Sequence, residues 1–242
     1  MQTWQNDLGQ PLGEPLPDWT MPPFPPQHIL SGFGCRLEPL NAAKHGGDLW
    51  QAFSADTAGK MWTYLTAGPF ASQAELEVWL RQMTSKPDPQ PYAVVDAETG
   101  KTHGLICYLR IAPESASIEV GWVTFSPILQ QTTLATAAQF LLMRNAFALG
   151  YRRYEWKCNA LNIPSHRAAE RLGFTFEGIF RQATINKGRS RDTTWLSILD
   201  KEWVKLEPAY LQWLDASNFD ADGRQRVSLS TLTRAALAGR ED

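Results

Sequence analysis

Between residues 151 and 158 apolar and charged positions alternate: Tyr154, Trp156 and Cys158 fall on one side, Arg153, Glu155 and Lys157 on the other. A period of two is that of a strand with one face in a core. Residues 115–125 also read as a strand, apolar on both sides, with Ile118, Val120 and Trp122 on one and Val123 and Phe125 on the other. Such a strand belongs in the middle of a covered sheet. Residues 92–96 and 103–111 flank Ala97-Glu-Thr-Gly100, which reads as a hairpin turn. Cys35-Arg-Leu-Glu-Pro-Leu40 reads as a first strand, and residues 174–184 and 192–199 as a last hairpin around the basic tip Lys187-Gly-Arg-Ser-Arg191.

Helical spacing lies between these strands. Ser72-Gln-Ala-Glu75 is a capping box, and Leu76, Trp79, Leu80 and Met83 follow on one face. Residues 42–53 are a second candidate, weakened by Gly46-Gly47. Residues 133–149 predict a long helix, apolar over much of its circumference and closed by Gly150. Residues 165–172 predict a short one, with Ser165 as N-cap and Gly173 just past its end. The order of strands and helices is that of a mixed α/β domain with one sheet.

Both ends differ from this middle. Residues 1–32 carry Pro11, Pro15, Pro17, Pro22, Pro23, Pro25 and Pro26, which forbid helix and discourage sheet. Trp4, Trp19 and Phe24 are too apolar for a free tail, so an extended arm on the domain surface is expected, with a dimerisation arm, and hence a homodimer, as the alternative. The domain proper is drawn at 33–205 and a C-terminal appendage at 206–242, its last residues, 239–242, frayed. Asn218-Phe-Asp-Ala-Asp-Gly223 resembles the start of a calcium loop, but Leu229 stands at the twelfth position, where a bidentate Glu is needed. An Asp-Gly turn without metal is the expectation.

Composition narrows the classes. The chain has 242 residues, 43% apolar and 20% charged, with ten Trp and eleven Phe. That suffices for a real core and excludes wholesale disorder. Basic and acidic residues number 23 and 25, for a net charge of −2, which supplies no field for nucleic acid. The longest apolar run, from Leu134 to Met143, is interrupted by Thr136 and Gln139 and too short for a membrane span. The first residues have neither the basic start nor the apolar stretch of a signal peptide. Three scattered cysteines, Cys35, Cys107 and Cys158, suggest no disulfide framework and a cytoplasmic setting. The four histidines form no metal-ligand pattern.

Candidate chemistry gathers between Ser115 and Trp203. The buried strand ends in Ser126-Pro127 and leads to Gln130-Gln-Thr-Thr-Leu-Ala-Thr136 at the start of the long helix. Free N–H groups at a helix start bind anions. The hydroxyls of Thr132, Thr133 and Thr136 either add phosphate ligands or merely cap the helix. Glu119 is a carboxylate in an apolar strand, where desolvation raises a pKa toward that of a general base, and Gly121 two residues on leaves room for a ligand. The other reading pairs Glu119 with an arginine across the sheet, Arg110 being the candidate. Trp62, Tyr64, Tyr92, Trp122 and Trp156 are core before they are an acceptor pocket. The basic hairpin tip is a solvated turn before it is a substrate-phosphate site.

Asn162-x-x-Ser165, Arg171-Leu-Gly-Phe174, Glu177-Gly178 and the hairpin that follows resemble, taken together, the GNAT superfamily of acyl-CoA N-acyltransferases, nearest the RimJ/RimL type. The resemblance covers roughly residues 34–203. It implies one central mixed β-sheet with helices on both faces, acetyl-CoA as co-substrate, no metal, and acetylation of a small-molecule or peptide amine by direct attack. The family's pyrophosphate loop, Gln/Arg-x-x-Gly-x-Gly/Ala, is matched by Gln130 and Ala135, but Thr133 replaces its first Gly, which tolerates φ > 0 and leaves room for phosphate. Strand backbone at Val123 would hold the pantetheine, and Asn162 would bond to that arm or to strand backbone, a plain Asx turn at Pro164 being the other reading. Glu119 corresponds to the family's general base. Ser165 corresponds to a serine that returns a proton to the CoA thiolate, and Ala169 stands where many members use Tyr. Thr133 and Ala169 motivate the alternative of a non-catalytic acyl-CoA-binding protein on the same fold.

Overall fold

A computed structural model of the chain describes residues 4–238. The prolines of the extended arm were expected to discourage sheet, yet the arm contributes to two sheets. Trp4–Gln5 (β1) pairs with Pro11–Leu12 (β2), and proline-free Leu30–Gly32 (β3) forms the edge of the central sheet against Cys35–Pro39 (β4). Between them the arm is fastened by its carbonyls, which proline retains. Tyr151 Oη donates to Pro23 O at 3.1 Å and Gln90 Nε2 to Pro25 O at 2.8 Å.

Helices α1 (Ala42–Phe53) and α2 (Gln73–Met83) follow β4. Asn41 and Ser72 cap them by accepting from Lys44 N and Glu75 N. Glu75 reaches past its cap to the N–H of Ala71. Strands β5 (Gln90–Asp96) and β6 (Thr102–Ala112) form the expected hairpin, and β7 (Ser117–Phe125) leads to α3 (Thr133–Ala148). Then come β8 (Arg153–Asn159), α4 (Ile163–Arg171), β9 (Thr175–Asn186), β10 (Arg189–Leu199), α5 (Asp200–Leu214) and α6 (Leu229–Leu237). The central sheet has eight strands in the order β3-β4-β5-β6-β7-β8-β10-β9. Every pair is antiparallel except β7–β8, which is parallel.

Both faces of the sheet are covered. Leu49, Leu76 and Leu80 of α1 and α2 pack with Ala93, Val95, Leu105 and Cys107. On the other face Phe140, Leu142 and Met143 of α3 pack with Tyr92, Tyr108, Ile118, Tyr154 and Leu196. The C-terminal helices belong to this second core. Trp203 stacks on Phe147 at 5.1 Å and Tyr210 on Phe140 at 5.4 Å. The boundary drawn at 205/206 therefore falls inside α5, and the two sides of it share one core. The expected turn near 218–223 is present, with Asp220 Oδ1 accepting from the N–H groups of Asp222 and Arg224. The fraying expected of residues 239–242 lies outside the described residues.

One strand departs from its pattern. Trp122 has φ 48°, and the β6–β7 register jumps from Cys107↔Gly121 to Leu105↔Thr124. This β-bulge reverses the faces midway. Ile118, Val120, Val123 and Phe125 all pack on the α3 side, while Trp122 turns to the α1–α2 side beside Trp79, with ring centroids 5.8 Å apart.

Candidate active site

The bulge sits where the sheet opens. Strands β7 and β8 are paired from Ser117↔Arg153 to Val120↔Trp156, and the pairing stops there. Beyond it lies a cleft of about 1360 Å³ lined by Val123 and Phe125 of β7, Trp156 of β8 and the first turn of α3. Gln130, Thr132, Thr133, Ala135, Thr136, Asn162 and Ser165, all singled out from the sequence, line it as well.

The start of α3 is built for an anion. Gln131 takes the left-handed conformation (φ 63°) that turns the chain into the helix, so Thr133 is simply its first residue. The lost Gly therefore carries no backbone strain here. What Thr133 brings is an exposed side chain. Thr132 is the N-cap, its Oγ1 accepting from Ala135 N at 3.1 Å and donating to Leu129 O at 2.7 Å. Thr136 is buried and accepts from Arg171 Nη1 at 3.3 Å. The N–H groups of Thr133 and Leu134, among the four that a helix start leaves unpaired, have no protein acceptor among the described residues. Gln130 Nε2 donates to Phe125 O at 2.8 Å and ties the loop to the end of β7. Gln139, one turn further along α3, is 4% exposed, and its buried Oε1 has no partner among the described residues.

Ser165 is not the helix cap. Asn162 is: its Oδ1 accepts from Ser165 N at 3.3 Å, which moves the start of α4 upstream and places Pro164 in the first turn, where no N–H is needed. Ser165 Oγ instead accepts from Trp156 Nε1 at 3.1 Å and lies beside the Cys158 thiol, whose pKa burial pushes up. Ala169 is fully buried.

Glu119 does not line the cleft. It is 3% exposed and sits on the α1–α2 side of the sheet between two cations, Arg110 Nη1 at 2.6 Å and Lys157 Nζ at 2.9 Å. Burial pushes its carboxyl up from the ordinary value, while Lys157 and Arg110 pull it down. Lys157 also bridges to Glu155 at 2.7 Å and stands 3.6 Å over the Trp195 ring, and Arg153 extends the chain of pairs to Glu177. Of the basic hairpin tip, Lys187 is also occupied. Lys187 Nζ donates to the carbonyls of Trp62, Ala67 and Gly68, clasping the hairpin to the loop between α1 and α2. Of the five aromatic residues weighed for a pocket, Tyr64 and Trp156 line the cleft, while Trp62 and Tyr92 are core. Tyr64 Oη donates to Leu161 O at 3.1 Å.

Sequence reasoning missed two other parts of the wall. Asp56, Lys60 and Met61 come from the loop after α1, and Trp213, Phe219, Arg224 and Gln225 from the C-terminal region. Nothing in their spacing marks them, because each reaches the cleft through tertiary packing alone.

Among known proteins, an acetyltransferase (GNAT) domain model matches residues 36–175. A GCN5-related N-acetyltransferase from Brucella melitensis is 46% identical, with 90% of this chain and 99% of that one covered and a TM-score of 0.88. A probable GNAT-family acetyltransferase from Chromobacterium violaceum is 38% identical over 81% of this chain and 98% of its own, with a TM-score of 0.76. RimL, a ribosomal L7/L12 alpha-N-protein acetyltransferase, shares the fold at 20% identity over 71% of this chain and 94% of its own, with a TM-score of 0.61. No curated protein sequence matches. With the domain model spanning more than half of the chain, a cleft between parted parallel strands and an anion-ready helix start, the chain belongs to the GNAT family of acetyl-CoA-dependent N-acetyltransferases.

Proposed function

We propose that the chain moves an acetyl group from acetyl-CoA to a primary amine, the α-amino group of a peptide, an amino acid or an aminoacyl compound. The observation that carries this reading is the parting of β7 from β8 after Val120, in line with the open start of α3. The free margin of β7 at Val123 suits the amide-bearing pantetheine arm as a surrogate strand, and the N–H groups of Thr133 and Leu134 suit its pyrophosphate. The amine nitrogen attacks the thioester carbonyl carbon, the carbon–sulfur bond breaks, and the oxygen's transient charge is held by a strand N–H. The amine's proton goes to water. Ser165, whose oxygen accepts from Trp156 Nε1 and which lines the cleft, passes a proton to the departing thiolate and regains one from that water. The acceptor would lie against Asp56, Lys60 and Tyr64.

Glu119 is better suited to holding the sheet than to taking a proton, since both cations meet the same oxygen, Oε2, and the cleft does not reach it. A general base is worth about 100- to 10,000-fold in rate. Glu119→Gln is expected to lower the melting temperature and to leave kcat well short of such a loss; a full loss at neutral pH would restore the base role. The function itself is tested by thiol release from acetyl-CoA in the presence of peptides, amino acids and aminoacyl compounds. Release that depends on an α-amino group supports the reading, and release only with amines lacking an α-carbonyl overturns the acceptor class.

A further inference from the structure

A second hollow opens beside the cleft, in the segment that joins α1 to α2. Its volume is about 300 Å³, at the lower end of small-molecule sites, which run from about 300 to 1,000 Å³. Trp50, Phe53, Trp62, Phe70 and Leu76 give it apolar walls, and Asp56 is the one ionisable residue on them. Asp56 also lines the cleft, so the two spaces have a carboxylate in common. Its Oδ2 accepts from Met61 N at 2.8 Å, which fixes the group. Its Oδ1 has no partner among the described residues, and no cation pairs with it there.

The hollow is held open by its own packing. Trp62 is buried and meets Phe53 edge-on at 5.3 Å and Phe70 edge-on at 5.2 Å. Gly68 lies against that indole so closely that a Cβ there would meet Trp62 Cδ2 at 2.5 Å. Lys187 clasps the carbonyls of Trp62, Ala67 and Gly68 from the hairpin side, so the segment is fixed from two directions. A rigid apolar hollow with a half-engaged carboxylate beside it suits a molecule with an amine head and an apolar body. The amine donates to Asp56, and the aromatic faces tolerate a positive charge nearby. An acidic side chain would be brought out of water next to Asp56 with no cation to meet it, which is costly. A side chain of one hydrogen would leave the walls unfilled.

We propose that this hollow is the side-chain subsite of the acceptor, and that the acceptor is an α-amine bearing an aromatic or branched aliphatic side chain. Its nitrogen is held by Asp56 Oδ1 at the mouth, and its apolar group lies among Trp50, Phe53 and Phe70. This rests on the chain acetylating α-amines. Asp56 binds and orients the nitrogen, accepting an N–H from the ammonium and from the neutral amine alike, so the hold survives when the proton leaves to water.

The test uses the full chain, acetyl-CoA and four probes that differ only in side chain, the α-amides of phenylalanine, leucine, glycine and glutamate. Thiol release should give a kcat/KM roughly 10- to 100-fold higher for the phenylalanine and leucine amides than for the glycine amide, the worth of burying such a side chain. The glutamate amide should be the poorest. Ala58→Trp adds bulk at the exposed rim of the hollow and should bring the phenylalanine-to-glycine ratio toward one, a readout that loss of stability alone would not move. Asp56→Asn keeps an acceptor for Met61 N and should raise KM roughly 10- to 100-fold, the worth of a charge-assisted hydrogen bond, with a smaller change in kcat. Melting temperature and acetyl-CoA affinity by calorimetry serve as controls for both variants. Equal kcat/KM across the four amides, or a preference for glycine or glutamate, overturns the subsite and leaves acetyl transfer to α-amines intact. An unchanged KM in Asp56→Asn overturns the role given to Asp56. Wild-type chain that binds acetyl-CoA yet releases no thiol with any of the four overturns the α-amine reading and the subsite with it.

Discussion

Replacing Asn162 by Ala should cost about 1 kcal/mol of stability, the usual worth of an N-cap, because its Oδ1 holds the first turn of α4 through Ser165 N. Ser165→Ala acts on a different bond. It leaves Trp156 Nε1 without its acceptor and the thiolate without its proposed proton donor, so kcat should fall. Both effects are read by measuring turnover and thermal unfolding on one preparation of each variant. Full turnover in Ser165→Ala would remove the hydroxyl from the chemistry. From the sequence Ser165 reads as the cap, since Asn and Ser cap helices about equally well. Pro164 was the available discriminator: it suits the first turn of a helix started by Asn162. The arginine partner of Glu119 was legible as the reading that placed Arg110 across the sheet, and the two are 2.6 Å apart. Lys157 was not, because it reaches Glu119 from a strand made adjacent only by the parallel crossover.

Helix α3 carries its chemistry in its first turn, and a carboxylate there should be felt at once. Ala135→Glu would set negative charge and bulk at a buried, cleft-lining position next to the N–H groups proposed for pyrophosphate, and calorimetry should show a large loss of acetyl-CoA affinity in the folded variant. At the junction of β4 and α1 the charge works through pH. Lys44, with His45 and Arg36, holds the Glu38 carboxyl down from 4.5 to about 2. A depressed carboxylate stabilises the fold above its unfolded pKa, and that contribution is lost as the pH falls through the folded value. Wild-type melting temperature should therefore drop between about pH 4.5 and 2, and Glu38→Gln should flatten that part of the profile. The elements themselves were largely legible: α1, α2 and α3 follow the helical periods and caps, and β8 its alternation. Strand β7 was not, since periodicity counts positions and a bulge adds one. Trp122, Val123 and Phe125 lie on the faces opposite to those that alternation from Ile118 and Val120 assigns.

Across the whole molecule the C-terminal region is structure rather than ornament. Truncation after residue 205 would cut α5 and uncover Phe140, on which the Tyr210 ring now stacks. The shortened chain should lose cooperative unfolding, as followed by near-ultraviolet circular dichroism and denaturant titration. The apolar residues of α5 look like those of any amphipathic helix, and what the sequence withheld was their partner, the far face of α3. The central sheet has a seam as well. Strands β7 and β8 share only four register pairs. A donor lying along the open margin would complete that seam and would then be part of the fold as well as a reactant. Binding at 100 times Kd adds about 2.7 kcal/mol to the folded state, comparable with the whole effect of a damaging mutation. The survival of this protein against proteases should thus follow the supply of its own acyl donor, making its abundance a slow gauge of acyl-donor supply.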